Sequence, residues 1–284
     1  MITTKISKEI RNFGVMNKPK IIFFGNGPLA DYALTALIES DCDILFRARE
    51  KADLAEVKRL KSIHKDAYGV LASFGVIIKN DVLELFEPEG ILNIHPSLLP
   101  KYRGPSPIET AILNGDTEFG VSIMKLVSEM DAGPIYYANS YQFSLTTTKD
   151  EIYHTLAADA AKHLAETLKS KNLSTPKEQT GTPTFTQKFD KSMSPLNPQE
   201  KTAEELNNQI RAFSGFPKST YRFNSLDCII ISAHVATPEE VQNLSDTKSL
   251  SIECYDKSIL LIDEIQPAGR KIMDAKSFIN GYMR

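Results

Sequence analysis

The chain has 284 residues, 42% hydrophobic and 24% charged, the composition of a globular protein of one or two domains. Its 33 Lys and Arg against 36 Asp and Glu leave a net charge of −3, which gives no bulk attraction to polyanions, so any nucleic-acid contact must come from a local patch. No run approaches the ~20 apolar residues of a membrane span. Three widely spaced cysteines, Cys42, Cys228 and Cys254, fit reduced thiols in a cytoplasmic protein and suggest neither a disulfide framework nor a zinc site.

Residues 1–17 lack the apolar centre of a secretory signal and read as a polar extension, with Met16 as an alternative start. Lys20–Phe24 reads as a buried strand, and "GNGPLADYALTALIES" after it as a turn and helix. Pro28 suits the first helical position, and Leu29, Ala33, Leu37 and Ile38 keep helical spacing. A second strand is expected at Cys42–Phe46. The run from Arg47 to Lys65 reads as a helix of mixed charge: a solvated face, or alternatively a contact to RNA phosphates. Strand signals return at Tyr68–Ser73, Gly90–Ile94 and Gly120–Val127, with helices near Asn80–Phe86 and Ser106–Asn114 between them. Such alternation implies an α/β domain with a mostly parallel sheet. Tyr136 and Tyr137 are assigned to a further strand.

A long helix is expected from Thr148, which pairs with Glu151 as a capping box; Ile152, Leu156, Ala160, Leu164 and Leu168 mark its buried face. The polar, aperiodic stretch that follows reads as a linker. Beyond it come a helix at Thr202–Phe213 and strands at Thr220–Phe223, Cys228–His234, Ser249–Cys254 and Ile259–Ile265, a small β-rich module. The expected organisation is an extension over 1–17, an α/β domain over 18–178, a linker over 179–200 and the β module over 201–284.

Three stretches could carry chemistry. Gly25-Asn26-Gly27-Pro28-Leu29-Ala30 follows a strand and matches the dinucleotide fingerprint. The second strand, however, continues into Arg47 and Arg49 where an acidic residue would hold a ribose. Either a phosphorylated ribose binds there, or the glycines only permit a tight turn. Asn93 and His95 lie two apart at the end of a strand, so they share a face. An amide can donate to a developing oxyanion, and an imidazole can move a proton near neutral pH. Pro96, Pro100, Pro105 and Pro107 stiffen the loop beyond. The alternative is a pair that satisfies loop backbone. Asp131, after the next strand and beside a glycine turn, would orient His95 if brought near it, or else cap its own turn. The absence of Ser or Cys from this set points to a site that activates an incoming nucleophile. His64, His154, His163 and His234 show no partners in the sequence and are read as surface or core residues.

"NIHPSLLPKYRG" together with "EMDAGP" resembles the signature of the folate-dependent formyltransferases. The resemblance implies a Rossmann-like N-terminal domain and a small C-terminal β-barrel of OB type. It implies catalytic roles for Asn93, His95 and Asp131, acting through a tetrahedral intermediate. The co-substrate would be 10-formyltetrahydrofolate, its pterin held by backbone of Phe74, Gly75, Ile77 and Ile78 and of the loop from Ser128, and bordered by Ser97, Leu98, Leu99 and Pro100. "RGPSPIETAILNGDTEFGVSIMKL" and the C-terminal patches "LNNQIRAFSGFPKSTYRF" and "IDEIQPAGRKIM" are most similar to members whose acceptor is initiator methionyl-tRNA. Other members formylate amino-sugar nucleotides or glycinamide ribonucleotide. The resemblance implies no metal, membrane or obligate protein partner. Arg103, by charge and loop position, is expected at the acceptor end of tRNA. The segment after the second strand is shorter and less basic than in the family, and the family's tryptophans are absent.

Overall fold

Ile21, Ile22, Phe23 and Phe24 are each fully buried, so β1 (Lys20–Phe24) is a strand covered on both faces. In the computed structural model, which describes residues 18–244 and 249–283, this strand is the second of a six-stranded sheet. The extension expected over 1–17 lies outside the described residues. In chain order, α1 (Pro28–Glu39) is followed by β2 (Asp43–Ala48), α2 (Leu54–Ile63), β3 (Tyr68–Leu71), α3 (Asn80–Leu83) and β4 (Ile91–His95). Then come α4 (Pro107–Leu113), β5 (Glu118–Lys125), β6 (Ile135–Gln142) and α5 (Lys149–Ser170). The sheet order is β2-β1-β3-β4-β5-β6.

The pairs β1–β2, β1–β3 and β3–β4 are parallel, as the alternation of strands and helices requires. The next pair departs from that pattern. β5 runs antiparallel to β4, with His95 opposite Ser122, Asn93 opposite Met124 and Leu92 opposite Lys125. β2 also extends beyond its expected end through Arg47 and Ala48. Ala48 is fully buried, and Arg47 is drawn into the first turn by bonds to Gly25 and Asp31.

The C-terminal elements are α6 (Ala203–Ala212), β7 (Ser219–Phe223), β8 (Leu226–Val235), α7 (Pro238–Gln242), β9 (Ser251–Glu253), β10 (Ile259–Pro267), β11 (Met273–Asp274) and α8 (Ala275–Tyr282). They form an antiparallel sheet, β11-β10-β8-β7 with β9 on β10. Register shifts on either side of Glu264 mark bulges that curl it into a half-barrel. Leu206 and Ile210 of α6, Ile230, Leu260, Ile262 and Ile265 of the strands, and Phe278 of α8 fill its core. α6 starts where Thr202 and Glu205 form a reciprocal capping box. α7 and α8 are short helices that the sequence reading did not anticipate.

The described chain divides into two units, one of residues 18–100, 120–139 and 153–182, the other of 101–119, 140–152 and 183–283. The second unit thus includes stretches expected in the α/β domain. Within it α4 packs against α6, Lys149 Nζ donates to Ala212 O (2.8 Å), and Arg211 donates to Thr147 O (2.9 Å). The expected linker is held by backbone pairs: just before it Ile135 and Lys177 exchange bonds of 2.7 and 2.8 Å, and within it Thr184 and Thr186 pair with Arg103, and Pro195 bridges Thr220. Its composition is that of a spacer, but extended backbone pairs whatever its side chains.

Candidate active site

Asn93 and His95 stand on the central strand β4, both 5% exposed. Period-two alternation puts them on the same face. Because β5 is antiparallel, its chain leaves at the far end of β4: Leu126 N–H donates to Ile91 O at 2.8 Å. The loop 127–134 must therefore fold back over the sheet to bring Asp131 to this pair, where strand ends alone would not place it. Asp131 Oδ2 lies 3.6 Å from His95 Nδ1, and its Oδ1 lies 3.5 Å from Asn93 Nδ2. One carboxylate thus faces both side chains at the outer edge of hydrogen-bond reach, a spacing common before substrate draws a site together.

Three devices hold the returning loop. Asp131 takes a left-handed backbone, φ +50°, a region that Asp and Asn tolerate better than other side chains. A Cβ on Gly133 would come within 1.8 Å of Lys125 O, so only glycine permits this approach. Gln179 Nε2 donates to Asp131 O at 2.7 Å and to Gly133 O at 2.8 Å, spanning the turn. The sequence reading missed Gln179, since it is the first residue of the expected linker and belongs to no motif.

The loop after His95 is fixed in a similar way. Ser97 N–H donates to His95 O (2.9 Å). Ser122 Oγ donates to Ser97 O (2.7 Å) and accepts from Leu99 N–H (3.2 Å). Ser122, fully buried opposite His95, is thereby committed to structure and is not a free nucleophile. Leu98 lies over Gly120, where a Cβ would meet it at 2.3 Å. Ser97 and Leu99 are buried, whereas Ser128 is exposed.

Of the residues expected to border a pterin after β3, Phe74 and Ile78 direct their side chains into the core, Phe74 edge-on to Phe24, while Ile77 is 89% exposed. Among the described residues none hydrogen-bonds the backbone N–H or C=O groups of Phe74–Ile78. Gly75 and Ile77 are exposed, where water can meet these groups, so the loop leaves backbone donors and acceptors open to a ligand edge. The cavity of about 500 Å³ in the same unit is lined by Tyr136, Tyr137, His163 and Ser170 among others, and none of the expected site residues borders it.

The glycine-rich turn has a packing explanation. A Cβ on Gly25 would meet Ala72 O at 2.3 Å, and Gly27 has φ +86°. Arg47 Nε donates to Gly25 O at 3.0 Å and its Nη2 to Asp31 Oδ1 at 2.6 Å. Both glycines are accounted for without a ligand. Arg103 is 8% exposed, its backbone paired on both sides with Thr184 and Thr186; it has less surface to offer a phosphate than its loop position implied.

Three histidines read as partnerless have partners. His154 meets Tyr32 edge-on at 5.1 Å, and His163 stacks on Tyr137 at 3.7 Å. His234 Nδ1 lies 2.9 Å from Asp263, and its Nε2 lies 3.2 Å from Glu240. These partners are distant in sequence or on neighbouring elements, where spacing rules do not reach. The carboxylates raise the His234 pKa above its ordinary value, the hydrogen bond to Asp263 contributing most.

An α/β sheet thus carries an amide and an imidazole on one strand face, with a loop carboxylate brought against both. The formyl transferase family model matches residues 14–168, and the formyl transferase C-terminal domain model matches 191–283. The chain belongs to the formyl transferase family. It is 34% identical over 242 residues to a methionyl-tRNA formyltransferase of Borrelia hermsii, covering 81% of this chain and 76% of the relative. The methionyl-tRNA formyltransferase structure from Clostridium thermocellum matches with a TM-score of 0.63 at 20% identity, covering 78% of this chain and 94% of that one. The structure of HypX from Aquifex aeolicus in complex with tetrahydrofolic acid matches with a TM-score of 0.70 at 13% identity; the match covers 94% of this chain but only 47% of HypX. At these identities both structures speak for the fold alone.

Proposed function

We propose that this chain transfers the formyl group of 10-formyltetrahydrofolate to the α-amine of initiator methionyl-tRNA in the cytoplasm. The observation that carries the reaction is the meeting of Asn93, His95 and Asp131 on one face of β4. The 34% identity to a methionyl-tRNA formyltransferase across most of both chains supports the acceptor. The donor set fits the co-substrate: an amide N–H for a carbonyl oxygen, an imidazole for a proton in transit, and unpaired backbone at 74–78 for a pterin edge. The co-substrate supplies an activated one-carbon unit at the formyl oxidation level.

An α-amine has a pKa of roughly 7.7–8.0, so a useful fraction is neutral at cytoplasmic pH. Strong activation is therefore unnecessary, and the main work is positioning and the movement of one proton. Asn93 Nδ2–H donates to the formyl oxygen as negative charge develops there. His95 takes the proton released by the attacking amine and returns it to the departing folate nitrogen. Asp131 orients the ring and offsets the positive charge that His95 carries between those two transfers. Backbone of Phe74–Ile78 and of the loop from Ser128 holds the pterin, with the turn Ser97–Pro100 at its border.

The test is formyl transfer from 10-formyltetrahydrofolate to labelled methionyl-tRNA, run beside an amino-sugar nucleotide and glycinamide ribonucleotide. Formylmethionyl-tRNA is the expected product. Transfer to a small amine alone would overturn the acceptor, and transfer to none of the three would overturn the reaction.

A further inference from the structure

The last turns of α5 carry a polar stripe beside the buried one. His163, Glu166, Thr167 and Ser170 are spaced three and four apart, so they share one face of the helix. That face and Tyr136 and Tyr137 of β6 line the cavity of about 500 Å³, and every described residue that lines it belongs to the first unit. Ile123 of β5 and Leu164 of α5, both 1% exposed, also border it. Ile123 is paired with Ile94, which stands between Asn93 and His95 on β4. Paired residues share a sheet face and neighbours along a strand alternate, so Ile123 projects from the face opposite to Asn93 and His95. The cavity is a second site and not an arm of the first.

Its aromatic walls are fixed. Tyr136 donates its hydroxyl to Glu89 O (2.9 Å), Tyr137 donates to Asp159 Oδ2 (3.0 Å), and His163 stacks on Tyr137. Rings held in this way have little freedom left to lose on binding. Other groups are left over. Among the described residues, the Glu166 carboxylate, the His163 ring nitrogens and the Asn172 side-chain amide make no hydrogen bond or ion pair. Charge then narrows the ligand. No Lys or Arg lines the cavity, and Glu166 is its one carboxylate. Lys162 and Lys169, near Glu166 on the same helix, line a separate cavity against α1, which Glu166 also borders. The polar stripe runs to the C-terminal end of α5, where the helix dipole is negative. A carboxylate, a negative helix end and tyrosine rings favour a cation, and Ile123, Leu164 and Leu173 favour one with a hydrocarbon body.

We propose that this cavity binds a small organic ammonium ion, with the charged end at Glu166 and the hydrocarbon body against the tyrosines. Isothermal titration calorimetry of the full chain tests it with three compounds of similar shape: 2-phenylethylammonium, 2-phenylethanol and 3-phenylpropionate. One charge-assisted contact to a solvent-accessible carboxylate predicts that the ammonium binds roughly 3- to 10-fold more tightly than the alcohol, with the carboxylate weakest of the three. Glu166→Gln keeps the size of an exposed side chain and removes its charge, so the ammonium and the alcohol should then bind about equally. Amide chemical shifts of the parent locate the ligand: 2-phenylethylammonium should move those of Tyr136, Tyr137, Thr167 and Asn172. Absence of ammonium binding at millimolar concentration, a preference for the ammonium that survives Glu166→Gln, or shifts that leave these four residues unmoved each overturns the site. The readout is binding and not turnover, so the result stands apart from the reaction proposed above.

Discussion

Asp131→Asn removes one charge from the candidate site and little else. Asn matches Asp in size and accepts the left-handed backbone that residue 131 adopts at φ +50°. The turn held by Gln179 should therefore persist, because Gln179 bonds to the backbone oxygens of Asp131 and Gly133 and not to the carboxylate. The carboxylate lies 3.6 Å from His95 Nδ1, with side chains 14% and 6% exposed, so solvent screens the pair only in part. At that separation and an effective dielectric constant near 20, a full imidazolium–carboxylate attraction is about 4–5 kcal/mol. His95 carries only part of a charge in the transition state, so the expected loss is roughly 2–4 kcal/mol, or roughly 30- to 1,000-fold in turnover. Single-turnover formylation at saturating tRNA and co-substrate measures it, with thermal melting as the control for folding. Turnover within threefold of the parent at an unchanged melting temperature would show that Asp131 does not support His95.

The other predictions concern the supports of this site and the second unit. Gln179→Ala deletes two hydrogen bonds worth about 1 kcal/mol each and should lower turnover by up to about 30-fold while His95 and Asn93 stay in place; unaltered turnover would mean that the turn holds itself. Arg103→Ala should leave the salt dependence of tRNA binding almost unchanged, because the side chain is 8% exposed, as titrations at two ionic strengths would reveal; a clearly flatter slope would restore Arg103 to the acceptor contacts. His234 has a raised pKa, so its pairing with Asp263 and Glu240 stabilises the second unit fully below about pH 6.5, the ordinary histidine value, and this contribution is lost as pH climbs through the raised value. Melting temperatures across that range should fall with pH in the parent, and His234→Gln should flatten the profile. A parallel decline in both proteins would place the dependence elsewhere.

Local pattern was enough to read the strands β1, β3 and β4, whose apolar runs are short and bounded by turn residues, and the long helix α5 with its Thr148–Glu151 cap. It also put Asn93 and His95 on one face, because two residues of separation in a strand permit nothing else. What it could not supply was anything set by pairing across the sheet. The linker shows this. Polarity and proline content described its side chains correctly, but its structure rests on backbone bonds to Arg103 and Thr220, and those leave no trace in composition. Gln179 and Ser122 were invisible for a related reason. Each acts on backbone groups of a loop far away in sequence, and no spacing rule connects residues 179 and 131 or 122 and 97.

The direction of β5 shows how topology decides chemistry here. Had β5 run parallel to β4, the loop after it would have emerged at the same end as His95, and Asp131 would have met the imidazole beyond the sheet, away from Asn93. Antiparallel pairing sends the chain out beside Ile91 and forces it back across the face of β4. On that return path Asp131 passes Asn93 and His95 together, at 3.5 and 3.6 Å, so one carboxylate addresses the amide and the imidazole at once. The return needs a sharp turn, which explains why glycine at 133, a left-handed residue at 131 and the bridging Gln179 all serve that one turn. Strain and support gather at Asp131 because the fold has to bend there, and that bend is what brings together the three residues proposed to act on the formyl group.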